Sequence, residues 1–171
     1  SSDVLCDQLS VGVGGLDLDD AQGDGLADAA FHLLAELFDS CAALADDSGI
    51  CAHALDGAPG VYSARFSGVH GNDEDNNTLL LEKLRDKEDK GAHYTCAMAI
   101  AYPDGSLVTA EGYMYGKITD NPRGDRGFGY DPIFMPEGYS VTVGEITDEE
   151  KNKISHRSKA LAGILEKLSN E

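Results

Sequence analysis

Two runs of alternating apolar character, residues 94–102 and 107–118, meet at Pro103-Asp104-Gly105. A turn of that composition between two strand-like runs predicts an antiparallel hairpin. Its period of two places Tyr113 and Tyr115 on one face of the second strand. Segments of helical period lie to either side. Leu26, Ala30, Leu33, Leu34, Leu37 and Phe38 predict a helix over 26–38. Asn72 or Asp73 is placed to cap a helix running to about Arg85, with Leu79, Leu80, Leu81 and Leu84 inward. Thr147-x-x-Glu150 reads as a capping box opening a C-terminal helical region, with Ile154, Leu161, Ile164, Leu165 and Leu168 on its apolar face. Residues 41–45 predict a short buried strand, Asp46-Asp47-Ser48-Gly49 a turn, and 50–55 a second short strand. Residues 57–60 and 119–127 read as loops. Helices mixed with a hairpin define an α/β or α+β class with a mixed sheet.

A length of 171 residues suits one domain with a real core. Residues 1–24, rich in Gly and Asp, are set apart as a divergent N-terminal segment, and 25–171 form the domain. The net charge of -18 is unevenly spread: residues 1–60 hold a dozen acids and no Lys or Arg, and all 13 basic residues lie from Arg65 onward. Such a chain repels nucleic acid at long range. A small anionic substrate is also repelled, unless a divalent cation and a local basic patch reverse the sign. Lys151, Lys153, His156, Arg157 and Lys159 form the one compact basic patch, and as a solvated helix face they would carry no function. No apolar run is long enough to span a bilayer, and no basic-then-apolar leader opens the chain. Cys6, Cys41, Cys51 and Cys96 lie far apart, which predicts reduced thiols in a cytoplasm.

Three short motifs carry chemistry. Adjacent carboxylates at Asp46-Asp47 suit a hard cation such as Mg²⁺, or the activation of a water. Ser48-Gly49 follows them with turn-like N–H groups, although a plain Asx turn explains the same four residues. In Gly127-Phe128-Gly129-Tyr130-Asp131-Pro132 the glycines let the backbone bend and leave a ring face open for a base to stack on. A core aromatic between turn glycines is the alternative. In Ser155-His156-Arg157 the imidazole and guanidinium diverge by about 100° on one helix. They converge only if the chain bends, which Ser155 as a second N-cap would arrange. Their N–H groups would then meet a carbonyl oxygen. A 6-oxo purine offers such an acceptor, whereas adenine offers an amine and leaves the donors unpaired.

Asp46-Asp47-Ser48-Gly49, the segment Gly57-Ala58-Pro59-Gly60-Val61-Tyr62-Ser63-Ala64-Arg65-Phe66, the run from Gly127 through Phe134, and Glu149-Glu150-Lys151-Asn152-Lys153-Ile154-Ser155-His156-Arg157 strongly resemble the inosine triphosphate pyrophosphatase family over roughly residues 42–168. The resemblance implies an elongated α/β fold with a long mixed β-sheet, flanking helices and two lobes around a nucleotide-binding cleft. It implies a homodimer, and Mg²⁺-dependent hydrolysis of ITP, dITP and XTP to the monophosphate and pyrophosphate. By motif position, Asp47 would activate water or bind metal, with Asp46 beside it and Ser48 at the substrate. Phe128 would stack on the base, and Tyr130 and Asp131 would border the base and sugar pocket. Lys151 would neutralise phosphate or fix the base, while Ser155, His156 and Arg157 would read the 6-oxo group. Residues 57–65 would shape the cleft and the dimer contact. Two motifs of the family are absent: the Ser/Thr-Gly-Asn-x-x-Lys loop, whose Lys holds phosphate, and the Glu-Asn-Ala that helps bind metal. A relative that binds purine nucleotides without turnover is therefore the alternative reading.

Overall fold

In the computed structural model of the chain, residues 42–170 are described. Segment 1–24, the helix expected over 26–38, and Cys6 and Cys41 lie outside them. Four strands form one sheet in the order β1-β2-β3-β4: β1 (Ala43–Ala52), β2 (Gly91–Ala101), β3 (Leu107–Ile118) and β4 (Phe134–Pro136). Three helices accompany it: α1 (Asp73–Leu84), α2 (Asp148–Ile154) and α3 (His156–Ser169). The α/β class with flanking helices is borne out. Among the described residues every strand pairing is antiparallel, where a mixed sheet was expected.

The hairpin forms as its alternation requires, with Ala101 paired to Leu107 and Gly91 to Lys117. The segment around Asp46 differs from expectation. The turn expected at 46–49 does not form between two strands, and 53–55 make a 3-10 turn at the strand's end. One unbroken strand, β1, runs through Asp46-Asp47-Ser48-Gly49, pairing Asp46 with Met98 and Ile50 with Tyr94. Ten consecutive ladder partners on β2 override the local turn preference of Asp, Ser and Gly.

Even-numbered β1 and β2 residues share one face. Ile50, Tyr94, Met114 and Ile118 join Leu80, Leu84, Ile133, Phe134 and Val143 in the main core. Burying side chains of this size contributes about 1.5–3 kcal/mol each. Further along the same face, Cys96 and Met98 pack beneath Ala160 and Ile164 of α3. The helix lies directly on β3 at Gly112, where a Cβ would collide with the His156 carbonyl. Small residues make this contact, so the expected stripe is only partly inward: Leu161 is 42% and Leu165 55% exposed. In α1, Leu80 and Leu84 are buried as expected, and Asn76 and Asn77 are buried beside them.

Asn72 caps α1 by accepting from the Asp75 N–H. Thr147 caps α2 through the Glu150 N–H, while the reciprocal capping box stands one turn earlier, at Thr142 and Glu145. α2 ends and α3 begins at one residue, the extended Ser155. Cys51 and Cys96 carry free thiols. Among the described residues no helix is long and apolar enough to cross a membrane.

Candidate functional site

The centre of the site is a buried carboxylate. Asp131 is 3% exposed. One oxygen, Oδ2, accepts from the Phe128 N–H at 3.0 Å and from Lys151 Nζ at 2.5 Å. The other, Oδ1, accepts from the Tyr94 hydroxyl at 3.3 Å. The hexapeptide loop, α2 and the middle of the sheet thus meet on one side chain. Asp131 was expected at the border of a pocket. It lies beneath that border, because a carboxylate with three donors is stable only where all three converge.

Above it stands Phe128, 63% exposed, an unusual position for a large apolar ring. Gly127 and Gly129 flank it with φ of +73° and +60°, values that L side chains rarely adopt. Lys151 Nζ lies 4.4 Å from the ring centroid, so one ammonium serves both the Asp131 carboxylate and the ring. A cleft of about 480 Å³ opens between this loop and α1, lined by Phe128, Asp73, Asn77 and Pro122 among others. Tyr130 also departs from expectation. It points into the core, 4% exposed, and its hydroxyl donates to the Ser63 carbonyl at 2.7 Å. Its ring anchors the loop from within the core.

On the sheet, Tyr94 continues the network. Its ring stacks on His156 at 4.7 Å and 7°. His156 is buried, and its Nδ1 has no hydrogen-bond partner among the described residues. Burial, with the charges of Arg157 and Lys151 adding, lowers its pKa to about 4, so the ring is neutral at pH 7. The Ser155 hydroxyl caps α3 by accepting from the Ser158 N–H at 3.1 Å, which is the second N-cap expected from sequence. The cap starts α3 so that His156 turns inward and Arg157 turns out. The two side chains do not converge on one point: Arg157 Nε donates to Asp46 Oδ2 at 2.7 Å, and Nη2 donates to Ser48 Oγ at 3.3 Å.

The neighbouring carboxylates separate for the same reason that β1 is a strand. Alternation sends Asp46 to the α3 side, where Arg157 takes it, and Asp47 to the opposite side. Asp47 makes no ion pair among the described residues. Burial raises its pKa above the ordinary 3.8, the Asp46 charge adds to the rise, and the Ser48 N–H and Arg65 oppose it. Among the described residues no group of three or more His, Cys, Asp or Glu is placed to hold a metal ion.

Sequence reasoning missed Tyr94, Asp73 and Asn77. Asp73 Oδ2 accepts from the Gly129 N–H at 2.7 Å, and Asn77 Nδ2 donates to the Gly129 carbonyl at 3.0 Å. Two amides at inward positions of an amphipathic helix, Asn76 and Asn77, were the available signal.

The fold is thus an α/β one that presents an exposed ring above a buried carboxylate paired with Lys, and an Arg that reaches a strand carboxylate. The chain belongs to the Ham1 family, whose model matches residues 16–167. It is 49% identical over 136 residues to the dITP/XTP pyrophosphatase of Streptomyces coelicolor, a match covering 78% of this chain and 68% of that protein. With the dITP/XTP pyrophosphatase of Desulfotalea psychrophila the identity is 54% over 122 residues, covering 71% of this chain and 55% of that protein. The chain therefore spans between 55% and 68% of these two relatives. Among solved structures, the Staphylococcus aureus Ham1 protein superposes with a TM-score of 0.77 at 36% identity, covering 81% of this chain and 72% of that one. The nucleoside-triphosphatase / dITP/XTP pyrophosphatase of Mycobacterium abscessus gives 0.74 at 43% identity, covering 85% and 78%.

Proposed function

We propose that this chain hydrolyses dITP, ITP and XTP to the nucleoside monophosphate and pyrophosphate, removing deaminated purines from the nucleotide pool. The observation that carries the reading is the Asp131 network, which holds Phe128 and Lys151 in place and reaches through Tyr94 to His156, beside Arg157. The purine stacks on the Phe128 ring. Lys151, over one face of that ring and already oriented by Asp131, lends positive charge to an oxidised base or to phosphate. The guanidinium of Arg157 keeps N–H groups beyond the two committed to Asp46 and Ser48, and these donate to the 6-oxo oxygen. Adenine would leave such donors unpaired.

Mg²⁺ fits the donor set in one specific way. Mg²⁺ is commonly held by one or two carboxylates together with substrate phosphates and waters, without a full protein cage. Asp47 is such a carboxylate: it has no ion-pair partner among the described residues, and its raised pKa is what a nearby cation would reverse. Asp46, paired with Arg157, stands beside it in sequence. When bound, the cation supplies charge neutralisation on the triphosphate of an otherwise acidic protein. Asp47 accepts a proton from, or orients, the attacking water. We take the active unit as a homodimer in the cytoplasm, which light scattering and fractionation test.

Pyrophosphate release from dITP, XTP and dATP, with Mg²⁺ or with EDTA, tests the reading. The expected result is a kcat/KM for dITP and XTP at least about a hundredfold above dATP, lost in EDTA. Equal rates on all three would overturn it. A second reading, nucleotide binding without turnover, is favoured by the lack of any Lys or Arg before Arg65. It predicts dITP binding with no pyrophosphate released.

A further inference from the structure

The Phe128 ring has almost nothing holding it except its own backbone. It is 63% exposed, and among the described residues the Lys151 ammonium is the one cation over its face. A stacking platform must nevertheless keep a fixed plane, because a base that stacks on a mobile ring must first order it. The order has to come from the peptide groups on either side. Phe128 N donates to Asp131 at 3.0 Å, which fixes the entry to the ring. The exit is fixed by α1: Asp73 accepts from the Gly129 N–H at 2.7 Å, and Asn77 donates to the Gly129 carbonyl at 3.0 Å. Positions 73 and 77 are four apart and share one face of the helix. The left-handed φ of +60° at Gly129 turns the following chain toward Tyr130, which is locked in the core.

We infer that Asp73 and Asn77 are positioning residues that clamp both sides of Gly129 and so set the plane of the Phe128 platform. This rests on the reading that a purine base stacks on Phe128. Asn77 supplies an independent sign of such a role. It is 8% exposed, and its Oδ1 has no hydrogen-bond partner among the described residues. A buried acceptor without a donor costs stability that an apolar side chain of the same size would not. The residue is therefore held at this position for what its Nδ2 does, which is to bond Gly129. Both side chains also line the cleft of about 480 Å³ beside the ring.

The chain has no Trp, so F128W places a single fluorescent reporter on the loop. In that background, Asp73→Ala and Asn77→Leu are expected to lower the steady-state anisotropy of the indole and raise its quenching by acrylamide. Asp73→Asn retains an acceptor and is expected to restore at least about half of the anisotropy. Asn77→Leu is expected to keep or raise the melting temperature while still freeing the loop, which a merely structural amide would not do. With Phe128 intact, each clamp-breaking variant is expected to raise KM for XTP about tenfold, with kcat within about twofold. Unchanged anisotropy in both Asp73→Ala and Asn77→Leu would overturn the clamp. So would a fall in kcat at constant KM, or an Asp73→Asn that behaves like Asp73→Ala. The two failures separate cleanly. Absent turnover by the unaltered protein defeats the proposed activity while the anisotropy still decides the clamp, and unaltered anisotropy with normal turnover defeats the clamp alone.

Discussion

The loop around Phe128 and the strand around Asp46-Asp47 are two halves of one candidate site, built on opposite plans. On the loop side, the groups that hold the ring are already paired: Asp131 binds three donors, Lys151 is paired, and Gly129 is held at both its N–H and its carbonyl. On the strand side, the two carboxylates are split by alternation. Asp46 is paired with Arg157, and Asp47 stands without an ion pair among the described residues and with a raised pKa. The loop side, where the proposed function places the base, is thus assembled by the protein itself. The strand side is charged and incomplete in its described part, and on the proposed function the cation and the triphosphate complete it. Binding of the base and hydrolysis of the phosphate chain should therefore be separable by mutation.

The largest effect expected is on the strand side. Asp47→Asn should lower kcat for dITP by roughly a hundredfold or more, while leaving the affinity for IMP unchanged. A parallel loss of IMP affinity, read by calorimetry, would erase the separation. Next comes Asp131→Ala, which strips Lys151 and the Tyr94 hydroxyl of their acceptor. Breaking a buried pair in this way costs about 3–5 kcal/mol, or a fall in melting temperature of about 10 °C. Thermal unfolding monitored by circular dichroism gives that number, and a shift under about 2 °C would mean that Asp131 is not the hub.

A smaller effect concerns pH. The folded-state pKa of His156, about 4, lies below its unfolded value near 6.5, so the unfolded chain binds more protons in between. Stability on this account is fully present above about pH 6.5, falls as pH drops toward 4, and levels off below it. The total is up to about 3 kcal/mol. Urea unfolding of the native chain and of His156→Asn at pH 7 and pH 4.5 isolates it: the variant should lose most of the slope. The smallest effect on stability belongs to Phe128→Ala. Because the ring is exposed, the melting temperature should move by no more than about 2 °C. Nucleotide affinity should still fall by about 1–3 kcal/mol, the usual worth of an aromatic–base stack.

How far the sequence foretold this arrangement depends on where each interaction closes. The hairpin, α1 and the α2–α3 break at Ser155 were legible because their signals are local: a period, a turn triplet, a capping hydroxyl. The strand through Asp46 was not, because its stability comes from ten partners on β2 that are some fifty residues away. The inward turn of Tyr130 and Asp131 was hidden for the same reason. A hexapeptide rich in Gly shows that a ring is presented, but not that Tyr130 reaches Ser63 or that Asp131 lies under Lys151. Phe128 itself was legible, since two flanking glycines are a local demand. The divergence of His156 and Arg157 followed from helix geometry, and the structure shows which one goes inward.

The separation of the two halves is tested most directly by calorimetric titration of IMP in EDTA, into the unaltered protein and into Phe128→Ala. The account predicts that IMP, with neither triphosphate nor metal, still binds the unaltered protein, and that the variant loses about tenfold or more in affinity. IMP binding that appears only when Mg²⁺ is added, or that survives unchanged in Phe128→Ala, would contradict it.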